Sequence, residues 1–182
     1  EVILAGNNGL FHVAYHFVPV SPPDIREAVL VEEGKIEPSK LTALRLQGNE
    51  LRDLTSLAAA VGEVACNVKQ IQWVDLSCNR IEDIKEALKP FEELRVLNLH
   101  GNSIKTFLGL KCLSQRLPHL RSITLHGNPV TENKHYRNYV LHTFPSITQF
   151  DFGAIAKQDR ENAKTWAVTF RKKLNPRLLE DA

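Results

Sequence analysis

The chain has 182 residues, 43% of them hydrophobic, which suits one compact domain. Its formal net charge of +2 gives no reason to expect a nucleic-acid binder or a membrane-surface protein. The three cysteines, Cys66, Cys78 and Cys112, are odd in number and never spaced C-x-x-C, so neither a disulfide framework nor a zinc site is expected, and a reducing compartment fits better. No apolar run approaches the roughly 18 residues of a membrane span. The lack of an N-x-S/T sequon agrees with a chain that avoids the secretory pathway. Residues 1–5 are apolar but have no basic flank or long apolar run, so they do not read as a signal peptide. The chain starts at Glu1 and contains no methionine, so upstream sequence is expected.

Residues 1–38 hold an apolar cluster, LFHVAYHFVPV, followed by SPPDIREAVLVEEG. Ser21-Pro22-Pro23-Asp24 predicts a turn into a helix that ends near Gly34. We read this segment as an N-terminal cap and an arm available to a partner.

Residues 39–130 carry the template L-x-x-L-x-L-x-x-N-x-L four times. The matches are Leu41–Leu44–Leu46–Asn49–Leu51, Ile71–Val74–Leu76–Asn79–Ile81, Leu94–Leu97–Leu99–Asn102–Ile104 and Leu120–Ile123–Leu125–Asn128–Val130. The asparagines are 30, 23 and 26 residues apart. The L-x-L pair predicts a short strand with alternate side chains on opposite faces. The asparagine amide both donates and accepts, so it can satisfy the backbone of its turn and of the neighbouring coil. No single repeat can bury its apolar face, so only a stack makes a core. Between the strands, Leu54/Leu57/Val61/Val64, Ile84/Leu88/Phe91 and Phe107/Leu110/Leu113/Leu117 step by three or four and predict short helices on the convex side, two of them ended by Pro90 and Pro118. Cys78 precedes Asn79 in its turn and reads as a small buried apolar residue.

Residues 131–152 contain a helix candidate with Tyr136, Val140, Leu141 and Phe144 on its buried face, and a degenerate fifth copy at Ile147, Phe150 and Phe152. Residues 153–182 form an amphipathic tail. Over 157–174, Ala163, Trp166, Ala167, Phe170 and Leu174 share a stripe, and Arg171, Lys172 and Lys173 crowd the end, where cations complement a helix dipole. The tail either folds back on the solenoid or lies on a partner.

The repeated frame resembles the leucine-rich repeat family, and the asparagine-type consensus resembles its SDS22-like class. NPVTENKHYRNYVLHTFPSITQFD, from Asn128 to Asp151, is similar to the C-terminal cap of that class. The resemblance implies an α/β solenoid with a curved parallel sheet on its concave face and short helices on its convex face. LPHLRSITLHGNPV, YRNYVL and DRENAKTW extend the resemblance to members that are non-enzymatic cytoplasmic proteins of ciliated organisms.

The strand register sets three outward columns. Ala43, Trp73, Val96, Ser122 and Gln149 form the first, Arg45, Asp75, Asn98, Thr124 and Asp151 the second, and Gln47, Ser77, His100 and His126 the third. Partner-binding candidates on this face are Arg45, Gln47, Trp73, Asp75, Asn98, His100, Thr124 and His126; those on the tail are Trp166, Phe170, Arg171 and Lys172. An outward tryptophan such as Trp73 suits a binding hot spot. His100 and His126 should sit about 5 Å apart on neighbouring strands. Zinc wants three or four ligands, and no cysteine or carboxylate shares their column, so no metal is expected. No G-x-S-x-G, P-loop or H-E-x-x-H is present, so no enzyme chemistry, cofactor or small-molecule substrate is expected.

The expected function is a protein-interaction scaffold in a larger assembly. The family resemblance points to the axoneme of cilia and flagella, with tubulin or other axonemal proteins as partners and neither nucleic acid nor membrane. Two alternatives are a regulatory subunit bound to an enzyme such as a phosphatase, and a ribonucleoprotein scaffold.

Overall fold

The computed structural model describes residues 2–6, 9–13, 41–65 and 67–170. The turn and helix expected between Ser21 and Gly34 lie outside them, as do Arg171 and Lys172. Short strands recur once per template: β3 (Leu41–Arg45), β4 (Trp73–Asp75), β5 (Val96–Asn98), β6 (Ser122–Thr124) and β7 (Gln149–Phe150). They pair in parallel and in register, so Ala43, Trp73, Val96, Ser122 and Gln149 stand side by side, as do Arg45, Asp75, Asn98 and Thr124. A hairpin, β1 (Val2–Gly6) and β2 (Gly9–Val13), pairs antiparallel along β3, and β8 (Gly153–Ala154) pairs antiparallel with β7. The β3 and β7 edges are thereby joined to further strands, and the sheet runs β2-β1-β3-β4-β5-β6-β7-β8. Every apolar template position from Leu44 to Val130 is at most 3% exposed.

The asparagines join one repeat to the next. Asn79 Oδ1 accepts from the backbone N–H groups of Asn49 (2.9 Å) and Leu51 (3.0 Å), and its Nδ2 donates to Leu46 O (2.8 Å) and Leu76 O (3.0 Å). Asn102 repeats the pattern on Ile81 N, Leu76 O and Leu99 O, and Asn128 does so on Ile104 N, Leu99 O and Leu125 O. These amides are at most 9% exposed, so water does not compete for the backbone groups they hold. The residue before each asparagine has a left-handed φ, +71° at Gly48, +67° at Gly101 and +71° at Gly127, the region glycine adopts without penalty. Cys78 fills that slot in the second repeat at φ +55° and is exposed. The expectation of a buried cysteine is therefore corrected: this turn position faces outward. A rung bond from Cys78 N to His100 O (2.9 Å) matches those of Gly48 and Gly101 and holds the turn closed.

The helical face is less regular. α1 (Leu57–Val64) and α2 (Leu108–Arg116) appear where the apolar spacing predicts them. The stretch at Ile84, Leu88 and Phe91 is buried as expected, yet it is a run of turns rather than a helix. It lies in the repeat of 23 residues, and its bonds span three residues (Lys89 N to Glu86 O, Phe91 N to Leu88 O, each 3.2 Å), the tighter winding of a short connection. Pro90 also removes a donor. The same compactness explains Gly109 inside α2, where a Cβ would sit 2.9 Å from Ile84 Cγ1.

The cap consists of a 3-10 turn (Pro129–Glu132), α3 (Tyr136–Thr143), β7 and β8, with Tyr136, Val140, Leu141 and Phe144 buried. Phe152 departs from the expected fifth copy. Asp151 and Phe152 both take left-handed φ values, +47° and +63°, the chain reverses into β8, and the Phe152 ring is left 67% exposed.

The tail helix, α4 (Lys157–Phe170), folds back on α3. Arg160 Nη1 donates to Leu141 O (2.7 Å) and Phe144 O (3.2 Å), and Nη2 donates to Ile147 O. One guanidinium thus satisfies carbonyls left over at the end of α3. Asp159 accepts from Ala156 N (3.0 Å) at the start of α4 and pairs with Arg137 (3.0 Å), and both contacts hold its carboxyl below the usual range. Trp166 is 5% exposed and its indole N–H donates to His135 Nδ1 (3.0 Å). Trp166, expected as a partner contact, is instead occupied by the chain's own cap, because the apolar stripe of α4 finds cover on α3. Phe170 is the last residue of α4.

Three outcomes are expected. Asn102→Leu orphans the buried Ile81 N–H and leaves Leu76 O and Leu99 O with one amide donor each, from Asn79 and Asn128, and should lower the unfolding free energy in urea by about 1–3 kcal/mol. Lys105→Ala, which removes an exposed pair with Glu82, should stay within about 0.5 kcal/mol. Arg160→Met should cost about 2 kcal/mol and, in a Trp73→Phe background, increase acrylamide quenching of Trp166 as α4 loosens.

Candidate interaction face

The face of the sheet opposite the helices carries the three columns. The expected candidates on it divide into two groups. Asp75 (7% exposed) and Thr124 (1%) are buried, as is Ser77 beside them. Asp75 Oδ1 accepts from Ser77 N (2.9 Å) and Ser77 Oγ (2.6 Å), which fixes the strand end. Thr124 Oγ1 lies 2.9 Å from His100 Nδ1 and 3.5 Å from Asn98 Oδ1. These short polar side chains sink between larger neighbours and act as floor, so Asp75 and Thr124, expected as direct contacts, offer a partner little surface. Arg45, Gln47, Trp73, Asn98 and His100 are half-buried and His126 is exposed. Arg45 Nη2 donates to Gln47 Oε1 (2.7 Å), so these two candidates hold each other in place.

The third column brings the histidines together. Their rings stack with centroids 4.6 Å apart and planes 9° from parallel, the spacing expected of neighbouring strands. Phe152 closes the corner, its ring 5.5 Å from His100 and 5.4 Å from His126. Phe152 counted as core in the periodic pattern. Only the reversal at Asp151 and Phe152 exposes it, and the N-P-terminated repeat followed by F-D-F-G was the one available sign of that turn.

Asp151 builds the corner. In earlier repeats the strand-end N–H donates to a backbone carbonyl of the next strand: Leu46 N to Asp75 O (2.7 Å), Leu76 N to Asn98 O (2.9 Å), Leu99 N to Thr124 O (2.9 Å). At the last repeat Leu125 N donates to the Asp151 side chain instead (Oδ1, 2.7 Å), as does His126 N (3.0 Å). The carboxylate stands in for a strand that has ended. His126 Nδ1 lies 3.4 Å from the same oxygen, and Tyr136 OH donates to Oδ2 (2.9 Å). Burial, and then the Asp151 charge, push the Tyr136 hydroxyl well above its ordinary value, so it remains a neutral donor.

His100 is held below the ordinary histidine value of 6.5, first by burial and then by the neighbouring His126, against the opposing pull of Asp75 and Asp151. The fold thus favours the neutral form of the His100 ring in the stack. No group of three or more His, Cys, Asp or Glu side chains among the described residues could hold a metal ion.

Because the folded pKa of His100 is depressed, the unfolded chain takes up the proton first as pH falls. Its contribution costs nothing above about pH 6.5 and reduces stability progressively below it. The His100 ring should therefore titrate below 6.5 by NMR, and His100→Gln should flatten the fall in stability between about pH 6.5 and pH 5.

Comparison with known proteins agrees with this architecture. The family described as leucine-rich repeat matches residues 38–180. Leucine-rich repeat-containing protein 51 of Bos taurus is 43% identical over 136 residues, covering 75% of this chain and 70% of that protein. The Homo sapiens protein of the same name is 40% identical over the same shares. Among solved structures, the Drosophila melanogaster SNF/U2A' complex contains a chain that superposes with a TM-score of 0.59 at 25% identity, over 72% of this chain and 84% of that one. The template, its buried asparagines and its cap are thus those of a known architecture, and the chain belongs to the leucine-rich repeat family.

Proposed function

We propose that this leucine-rich repeat chain docks a larger assembly through the open face of its sheet, around His100, His126 and Phe152. The observation that carries the reading is Phe152. A phenylalanine 67% exposed against two stacked imidazoles, on a face with no helix of its own among the described elements, loses solubility unless a partner covers it. Half-buried Trp73 in the first column adds a second aromatic anchor of the type enriched in hot spots. Little in the fold suits chemistry: the titratable residues of the face are engaged in turns, stacking or capping.

For the assembly itself we propose the axoneme of cilia and flagella, at the doublet microtubule, in the cytoplasm. Its support is the family resemblance of the cap and tail motifs. A second reading, a ribonucleoprotein scaffold, draws on the structural likeness to the SNF/U2A' complex. A net charge of only +2 weighs against direct RNA contact in that setting.

Cross-linking and fractionation of native cilia test the reading. The chain should remain with demembranated axonemes, and Phe152→Asp should release it while leaving its circular dichroism and urea midpoint within error. Uniform presence in the cytosol would exclude the axonemal assignment. Loss of the complex on RNase treatment would favour the ribonucleoprotein reading.

A further inference from the structure

The charge on the open face runs opposite to that of the chain as a whole. Across the three columns the formal charges are one cation, Arg45, and two carboxylates, Asp75 and Asp151, while the full chain is +2. Arg45 lies at the β3 end and is already turned onto Gln47. The aromatic corner lies at the β6–β7 end, beside Asp151. Its three rings are His100, His126 and Phe152, with a carboxylate at their base whose side chain is 20% exposed. Among the described bonds Oδ1 is heavily used, whereas Oδ2 accepts only from Tyr136, which leaves it acceptor capacity. A flat ring surface next to a carboxylate with an unused lone pair, water-accessible and of net negative sign, matches one kind of side chain. A guanidinium is planar, stacks on aromatic faces, is weakly hydrated and donates from a fixed fork. An ammonium lacks the plane, and an acidic group would meet the carboxylate.

We propose that this corner receives an arginine side chain of the protein partner, stacked against Phe152 and directed toward Asp151. The assignment rests on the reading of the open face as the docking surface and adds the chemistry recognised there. It also makes the contact sensitive to acid. Arg45, Asp75, Asp151, His126 and the Tyr136 hydroxyl are the other titratable groups on or beneath this face, and protonation of His100 beside the corner would bring positive charge against an incoming cation.

The test is side-chain NMR of the full chain, selectively labelled at His and Phe, titrated with N-acetyl-arginine amide and with its neutral isostere N-acetyl-citrulline amide. At about pH 7.5 the arginine probe should shift Phe152, His100 and His126 saturably, and citrulline should bind roughly three- to tenfold more weakly. Phe152→Ala should abolish the response, and lowering the pH to about 5.5 should weaken it. Equal responses to the two probes, a response that survives Phe152→Ala, or none in the millimolar range would overturn the proposal. If arginine fails while Phe152→Asp still releases the chain from its assembly, the arginine assignment falls and the docking face stands. If arginine binds but Phe152→Asp leaves the assembly intact, the docking face is elsewhere.

Discussion

Each repeat of this chain ends in a turn whose inner side is buried, and that side leaves backbone groups without partners. The asparagine amide resolves this with a single side chain. Its oxygen takes N–H groups of the preceding repeat and its nitrogen gives to carbonyls of both repeats, as Asn79 does for Asn49, Leu51, Leu46 and Leu76. Orphaned groups at that depth cost about 1–3 kcal/mol each, and domain stability is commonly only 5–15 kcal/mol, so the loss of one such amide removes a large share of what holds the stack. The leucines supply most of the driving force, but they are interchangeable with other apolar residues. The amide is not, because no apolar side chain both donates and accepts.

The candidate site arises where that device stops. After Asn128 there is no further strand end to accept from Leu125 and His126, and the Asp151 carboxylate takes both N–H groups. To aim it there the chain adopts two successive left-handed residues, an arrangement that L side chains resist. The bonds from Leu125, His126 and Tyr136 offset that cost, and the reversal leaves Phe152 above the histidines. Cap and interaction corner are thus one construction: the group that closes the sheet also supplies the corner's charge.

Much of this could be read from the letters alone. Strand positions, columns, histidine stack and cap helix all follow from a period of apolar residues and one asparagine per turn. Three features could not. The segment around Leu88 keeps helical spacing but lacks the chain length for a helix, and periodicity does not measure length. Trp166 satisfies an amphipathic pattern that suits a partner as well as its own cap; the choice is made by Arg160 reaching the carbonyls of Leu141 and Phe144, a long-range contact with no local signature. Asp75 and Thr124 lie on the outward phase, yet side-chain length decides exposure there, and short residues between Arg45, Asn98 and His100 are covered. The exposure of Phe152 depends on backbone angles that a hydrophobic pattern does not encode.

Fold and site are joined by the Asp151 carboxylate, which stands in for the next strand's carbonyls and holds the last repeat's backbone as firmly as the buried asparagines hold that of the others. Native-state hydrogen exchange, read amide by amide, tests it directly. The amides of Leu51, Ile81 and Ile104 donate to asparagine side chains, and those of Leu125 and His126 donate to Asp151. If the account holds, the Leu125 and His126 amides are protected to within about tenfold of the other three, since all open with the same stack. Exchange of Leu125 and His126 by local opening, orders of magnitude faster than Leu51, Ile81 and Ile104, would show that the corner is not a continuation of the ladder and would contradict the account.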